Sequence, residues 1–450
     1  MFEKVLVANR GEIACRVFQA CRELKIATVA VYSEADAEAL HVRMADEAVC
    51  IGPASPRDSY LNVANILSAA RLTGAQAIHP GYGFLSENAN FAEVCEASGV
   101  TFIGPPSHVI ARMGNKSEAR RTMHDAGVPV IPGTQEPVGD AREARAIAEE
   151  LGYPVMIKAA LGGGGRGIRE VKNPDELPAA LEQARSEARA AFGNGDVYIE
   201  KLLLGPRHIE VQVLADNHGN CVHLGERECS IQHRKQKLIE EAPSPAVNNS
   251  QRRKLGEAAV KAATTVGYRN AGTVEFLMDK RGRFYFMEMN TRVQVEHPVT
   301  EMLTGVDIVR EQIRIAAGEK MTCEQGKIWF NGHAIECRLL AADGDDGFKP
   351  SPGSIRSWSM PAGPGIRLDT GVAAGCEVSP HYDPMIAKLI CWAEDRPACL
   401  ARMEATLRGM KIDGLKTTIG FHLRTLSDPE FRRGETDTSF IERRILAKPG

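Results

Sequence analysis

Apolar and polar positions along the first hundred residues follow two alternating periods. KVLVA reads as a continuous apolar run, and EIACRVFQACRELK carries its apolar residues at helical spacing. ATVAVYS is a second apolar run, AQAIHP a third after the helical NVANILSAARLTG, and TFIGP closes the series. Strands alternating with amphipathic helices predict a parallel, doubly wound α/β sheet. Functional loops of such a sheet lie beyond the carboxyl ends of its strands. HPGYGFLSENANFAE follows one such end, where Gly81 and Gly83 favour a tight backbone loop.

A different texture begins near residue 114 and predicts an α+β region. The helical KSEARRTMHDAG leads through PVIPG to a compact block. That block reads as a helix (AREARAIAEELG), a strand (PVMIKAA), a glycine run, a strand (GIREV), another helix, and VYIEKLLL. From residue 207 antiparallel hairpins dominate, in HIEVQVLAD-NHGN-CVHLGERE and TVEFLMD-KRG-RFYFMEM. A last region begins near HAIECRLLAAD, passes the glycine-rich PAGPGIRLDTGVAAG, and ends in a helix, DRPACLARMEATLRGM. A length of 450 residues suggests two to four domains.

Composition narrows the function classes. Lys and Arg number 55 against 58 Asp and Glu, a net charge of −3 that supports no general attraction to nucleic acid or anionic membrane. No apolar run approaches the roughly 20 residues that cross a bilayer, and the opening MFEKVLVANRGE is too briefly apolar for a signal peptide. The 11 cysteines are scattered and form no CxxC pair, so neither a zinc site nor a disulfide framework is expected. Each reads as a small buried hydrophobe. The expected compartment is cytoplasmic.

Candidate chemistry starts at LGGGGRG, where Gly162, Gly164 and Gly167 match GxGxxG. A dinucleotide loop would open a helix, whereas IREV alternates like a strand. The loop therefore predicts the cap of a β-hairpin whose amides cover phosphates, with Lys158 at the end of the preceding strand. A hairpin tip without ligand is the alternative. No GxxxxGK[ST] motif is present, which excludes a P-loop enzyme.

Carboxylates give the second clue. A two-residue turn at Lys280–Arg281 would set Glu275 opposite Phe286, and Glu288 and Asn290 share its parity. Oxygen donors on one face suit Mg²⁺ beside phosphates; a solvated strand face is the alternative. If the segment stays extended, Glu288, Asn290, Arg292, Gln294 and Glu296 share one face, as a reaction centre or as an ion-pair ladder. The basic run His233, Arg234, Lys235 and Lys237 is flanked by Glu226, Glu228, Glu240 and Glu241, so one lysine aimed at a phosphate or bicarbonate fits better than nucleic acid. His208, Glu210 and Gln212 share one strand face, where His208 serves either a nucleotide or an ordinary hydrogen bond.

The segments ANRGEIA, HPGYGFLSEN, GGGGRG, RHIEVQVLAD, FMEMNTRVQVEHPVTEMLTG and IECR resemble the biotin carboxylases of the ATP-grasp superfamily, from Met1 to about Glu442. The resemblance implies a Rossmann-like N-terminal domain (1–113), an ATP-grasp domain (114–330) with a mobile lid over about 131–203, and a C-terminal biotin carboxylase domain (331–446). It implies ATP binding by Lys116, Lys158, Gly163, Gly164, Gly165, Glu200, Lys201, Leu203, His208 and Gln232. Glu275, Glu288 and Asn290 would hold two Mg²⁺ or Mn²⁺ ions. Lys237, Arg292, Gln294 and the backbone of Val295 would hold bicarbonate, and Glu296 would deprotonate it to give carboxyphosphate. Tyr82 and Arg338 would contact biotin, with Arg338 stabilising its enolate.

Many relatives carry His where Lys235 stands, which leaves that lysine without an assigned role. Met410–Lys411 lacks the second methionine of a biotinylated Met-Lys-Met hairpin. Biotin is therefore expected on a separate biotin carboxyl carrier protein, with a separate carboxyltransferase subunit and a homodimeric enzyme. HYDPMIAKLI resembles acyl-CoA and pyruvate carboxylase types somewhat more than the acetyl-CoA type. Two rivals stand beside this reading. Another ATP-grasp ligase would share the glycine run and metal ligands but not Arg338 with Arg292–Glu296. A nucleotide-binding subunit without turnover would lack catalytic groups that this chain retains.

Overall fold

The computed structural model describes residues 1–159 and 168–447. They form two compact units: Met1–Gly114 with Arg207–Glu275 and Met289–Gly450, and Asn115–Pro206 with Phe276–Glu288.

The first unit opens with β1 (Lys4–Val7), β2 (Ala27–Ser33), β3 (Glu47–Gly52), β4 (Ala77–His79) and β5 (Thr101–Phe102). They lie in the order β3-β2-β1-β4-β5 with every pairing parallel, the doubly wound sheet that the alternation predicts. Both faces are covered, because alternate residues of a strand point oppositely. Val5 and Val7 pack with Val17 and Phe18 of the helix Gly11–Glu23, while Leu6 packs with Ile66 and Ala70 of the helix Val63–Thr73. Asn62 and Asn88 cap the helices that follow them by accepting from Asn65 and Phe91 N–H. β3 is absent from the hydrophobic pattern. It is an edge strand with little burial, and Cys50 on it is exposed rather than a buried hydrophobe.

The second unit holds β6 (Val155–Ala159), β7 (Ile168–Val171) and β8 (Val197–Lys201), antiparallel in the order β7-β6-β8. Ile157 and Ile199 pack against Ala144 and Ala148 of one helix and Leu181 of another. β6 and β7 form the hairpin expected around the glycine run; Gly163, Gly164 and Gly165 themselves lie outside the described residues.

The large sheet comprises β9 (Arg207–Ala215), β10 (Cys221–His233), β11 (Gln236–Ala242), β12 (Asn270–Met278), β13 (Phe284–Asn290), β14 (His333–Leu340) and the strands Met385–Ala393 and Ile366–Thr370. Its order is β13-β12-β9-β10-β11-β14, then Met385–Ala393, then Ile366–Thr370. Two sequence expectations fail here. The turn after β12 closes through Asp279 N–H to Arg283 O at 2.9 Å, so three residues lie inside it, not two. The Asp279 carboxylate takes the Arg281 and Arg283 amides and fixes that wider turn, which removes the basis for setting Glu275 opposite Phe286. The second failure is that β13 stops at Asn290. Residues 291–296 are irregular and lead into the helix His297–Thr304, whose first turn carries Pro298. Pro298 suits the helix start, and the irregular stretch before it does not realise the Glu288–Glu296 parity.

Candidate active site

β9 is buried on both faces, which places its charged residues inside the sheet rather than in water. Glu210 and Gln212 are fully buried, and His208 shares their face as expected. Arg227 of β10 sits directly across from Glu210. It is also fully buried, and uses all five of its N–H donors. Nε donates to Glu210, Nη1 to Gln212 and Thr300, both at 2.9 Å, and Nη2 to Thr273 at 3.1 Å and Gln294 at 2.9 Å.

Lys237 on β11 turns into this interior, while Arg234 and Lys235 stay exposed in the hairpin tip at positive φ. Its Nζ donates to Glu210 at 2.5 Å, Glu275 at 2.9 Å and Glu296 at 2.6 Å. One ammonium therefore bridges three buried carboxylates. Burial alone would raise Glu275, yet Lys237 and then His208, 3.0 Å away, hold it well below the usual carboxylate range. Glu296 is likewise held well below it: burial works upward, and Lys237, Arg338 and Arg227 outweigh that.

Arg338 on β14 donates from Nε to Glu240 at 2.7 Å and from Nη2 to Glu296 at 2.9 Å. Glu240 is pushed up to about 7 because its burial outweighs Arg338. Gln294 also meets this cluster, its Nε2 donating to Glu275 at 2.8 Å. Lys237, Gln294, Glu296 and Arg338 thus converge although the segment is not extended. Arg292 pairs with Glu87 at 2.8 Å and donates to Asn290 Oδ1 at 3.0 Å, within electrostatic reach of Glu296 and Glu275. Tyr82, in the loop after β4, donates its hydroxyl to Glu12. Gln232 stands across from Lys237 in the β10–β11 pairing.

Within the second unit, Lys158 pairs with Glu200, and Arg120 Nε lies 3.6 Å from the same carboxylate. Lys116 reaches Glu288 at 2.9 Å from a largely exposed position. The Lys201 ammonium is turned to the carbonyls of Gly152 at 2.6 Å and Tyr153 at 3.2 Å, and Leu203 is half-buried. Glu275, Glu288 and Asn290 all supply oxygen donors, the set that hard divalent cations take. Sequence reasoning left Arg227, Glu240 and Glu12 without a role. Alternation assigns charged strand residues to the solvent face, yet Arg227 and Glu240 are buried within a central sheet, and Glu12 is buried in the first turn of the helix Gly11–Glu23.

Three family models match the chain in succession. They are the biotin carboxylase N-terminal domain over residues 1–110, the carbamoyl-phosphate synthase L chain ATP-binding domain over 115–324, and the biotin carboxylase C-terminal domain over 336–443. The chain belongs to the biotin carboxylase family. A Nostoc relative named biotin carboxylase is 56% identical over 441 residues, covering 98% of this chain and 99% of that one. Among solved structures, a biotin carboxylase–β-γ-ATP complex from Campylobacter jejuni superposes with a TM-score of 0.92 at 47% identity, over 99% of both chains. The biotin carboxylase domain dimer of Hydrogenobacter thermophilus 2-oxoglutarate carboxylase, solved with MgADP, ADP and bicarbonate, gives 0.91 at 52% identity over all of both chains. The three-domain biotin carboxylase architecture with its ATP-grasp domain, expected from the sequence, is the fold of this chain. Among the described residues no helix is long and apolar enough to cross a membrane.

Proposed function

We infer that the protein carboxylates biotin at the expense of ATP and bicarbonate, giving carboxybiotin, ADP and phosphate, and that the cluster around Lys237 is where bicarbonate is activated. The observation that carries this reading is Glu296, buried and hydrogen-bonded to both Lys237 and Arg338. Bicarbonate is a poor nucleophile until it loses its proton. Glu296 accepts that proton as the dianion forms beside Lys237, Arg292, Gln294 and the Val295 N–H. Fixed cations and donors favour the dianion over bicarbonate, which is where their contribution to rate lies. The carbonate oxygen then attacks the γ-phosphorus of ATP, ADP leaves, and carboxyphosphate is formed. Carboxyphosphate then breaks its carboxyl C–O bond to give CO₂ and phosphate. The phosphate takes the N1 proton of biotin, and Arg338 steadies the enolate that develops on the ureido oxygen as N1 attacks the CO₂.

ATP is assigned to Lys116, Lys158, the Gly163–Gly165 run, Glu200, Lys201, Leu203, His208 and Gln232. Glu275, Glu288 and Asn290 are assigned to Mg²⁺ or Mn²⁺, which neutralises phosphate charge when bound. Tyr82 joins Arg338 on biotin. The domain limits 1–113, 114–330 and 331–446, with the lid at about 131–203, complete the reading. The biotin is carried by a separate carrier protein and its carboxyl group passes to a carboxyltransferase subunit, in the cytoplasm, from a homodimeric enzyme. ADP release measured with ATP, Mg²⁺ and bicarbonate, with and without free biotin, tests the proposal. Release that needs bicarbonate and rises with biotin is expected; biotin-indifferent release by the metal-replete enzyme would refute it.

A further inference from the structure

Lys388, in the HYDPMIAKLI motif, is fully buried on the strand Met385–Ala393 and has no part in the scheme above. Its register is unusual. Arg338 of β14 lies directly across from it on one side, and Asp369 on the other. Two like charges directly opposed weaken a sheet, and taking an ammonium out of water is costly before any partner offsets it. An apolar chain of similar length would serve packing without either penalty.

What the ammonium does is specific. It donates to the Val295 carbonyl at 2.9 Å, lies 3.1 Å from Glu12 Oε2, and stands 3.7 Å from Asp369 Oδ2. The carbonyl it holds belongs to the peptide joining Val295 to Glu296. The opposed cations therefore grip one place from two sides: Arg338 takes the Glu296 carboxylate, and Lys388 takes the backbone immediately before it. The segment needs such a tie because residues 291–296 form no strand or helix that would fix it. Glu12 in turn accepts from Tyr82, so contacts run unbroken from Tyr82 through Glu12 and Lys388 to Val295.

We propose that Lys388 is a positioning residue for bicarbonate activation, holding the Val295–Glu296 peptide so that the Val295 N–H and the Glu296 carboxylate meet the same anion. The proposal rests on the roles given above to Val295 and Glu296. Lys388 touches no substrate; it acts through the backbone it holds.

The test compares the full-length enzyme with Lys388→Met and Lys388→Arg in assays that vary bicarbonate and ATP separately. A displacement of about 1 Å in a reacting group can cost about 100-fold, so Lys388→Met is expected to lower kcat/KM for bicarbonate about 10- to 100-fold and to leave the ATP KM within about twofold. Lys388→Arg, which keeps a cationic donor, is expected to recover part of that loss. A purely structural role would lower the melting temperature and the active fraction, reducing kcat without raising the bicarbonate KM. Unchanged kcat/KM for bicarbonate in folded Lys388→Met overturns the proposal, as does a loss confined to kcat. Should neither variant fold, a crystal structure of the wild-type enzyme with ADP and bicarbonate decides. Lys388 within hydrogen-bond reach of the Val295 carbonyl supports the proposal, and a carbonyl turned away overturns it. A wild-type enzyme without bicarbonate-dependent ADP release would overturn the proposed function instead.

Discussion

Replacing Lys237 by methionine removes the one cation shared by Glu210, Glu275 and Glu296, which it meets at 2.5, 2.9 and 2.6 Å. The three carboxylates are not left equally bare. Glu210 keeps Arg227, Glu296 keeps Arg338, and Glu275 keeps His208 and the Gln294 amide. The net loss is one buried positive charge, and breaking a buried pair by deleting one partner costs about 3–5 kcal/mol. The pH dependence should invert as well. In the wild type, Glu275 and Glu296 lie below their ordinary range. They add stability above the unfolded carboxyl value of about 4.3, and that stability is lost as pH falls through their folded values. In Lys237→Met one carboxyl of the trio is raised above about 4.3, so stability falls as pH rises through that new value. Urea midpoints of both proteins at several pH values between 5 and 8 check this. A variant within about 1 kcal/mol of wild type across that range, well below the cost of a broken buried pair, would mean that Lys237 is not the cation that neutralises the cluster.

Two further outcomes concern single positions. Arg338→Ala should reduce biotin carboxylation by about 10²–10³-fold, as loss of an oxyanion donor does, while sparing the ATP KM. Glu240, already raised to about 7, can take a proton when its partner is removed, so the folded variant should survive near neutral pH; normal turnover would remove Arg338 from the mechanism. Glu288→Gln should abolish most metal-dependent turnover yet change stability by no more than about 1 kcal/mol, because its contact with Lys116 is a surface pair. Metal titration and melting curves on the same preparation separate those effects, and wild-type metal affinity would overturn the assignment.

The legible parts of the sequence were those where burial and period coincide. Val5, Leu6 and Val7 read as a buried strand because all three are apolar, and the Asn62 cap marks its helix start. β3 could not be read in the same way, since its exposed edge imposes no pattern on EAVCIG. Within the site, residue types were more informative than their spacing. Gln294 and Glu296 do meet Lys237 and Glu275, but through a loop broken by the helix at Pro298 rather than along one extended face. Lys388, Glu12 and Glu240 were illegible for a different reason. A charged residue in a strand, as at Lys388 and Glu240, or in the first turn of a helix, as at Glu12, signals solvent, and only the pairing of buried opposite charges reverses that rule.

Arg227 carries a consequence for how this sequence can drift. Its five donors are spent on residues from four separate stretches of chain, Glu210 with Gln212, Thr273, Gln294 and Thr300. A lysine at 227 offers three donors from one nitrogen and would strand buried acceptors at a cost of about 1–3 kcal/mol each. Loss of any one acceptor leaves a guanidinium N–H equally stranded. The six positions therefore form a single heritable unit that mutation can enter only by several simultaneous steps. In a population of descendants they should co-vary as a block, or stay fixed together while the exposed hairpin tip at Arg234 and Lys235 changes freely.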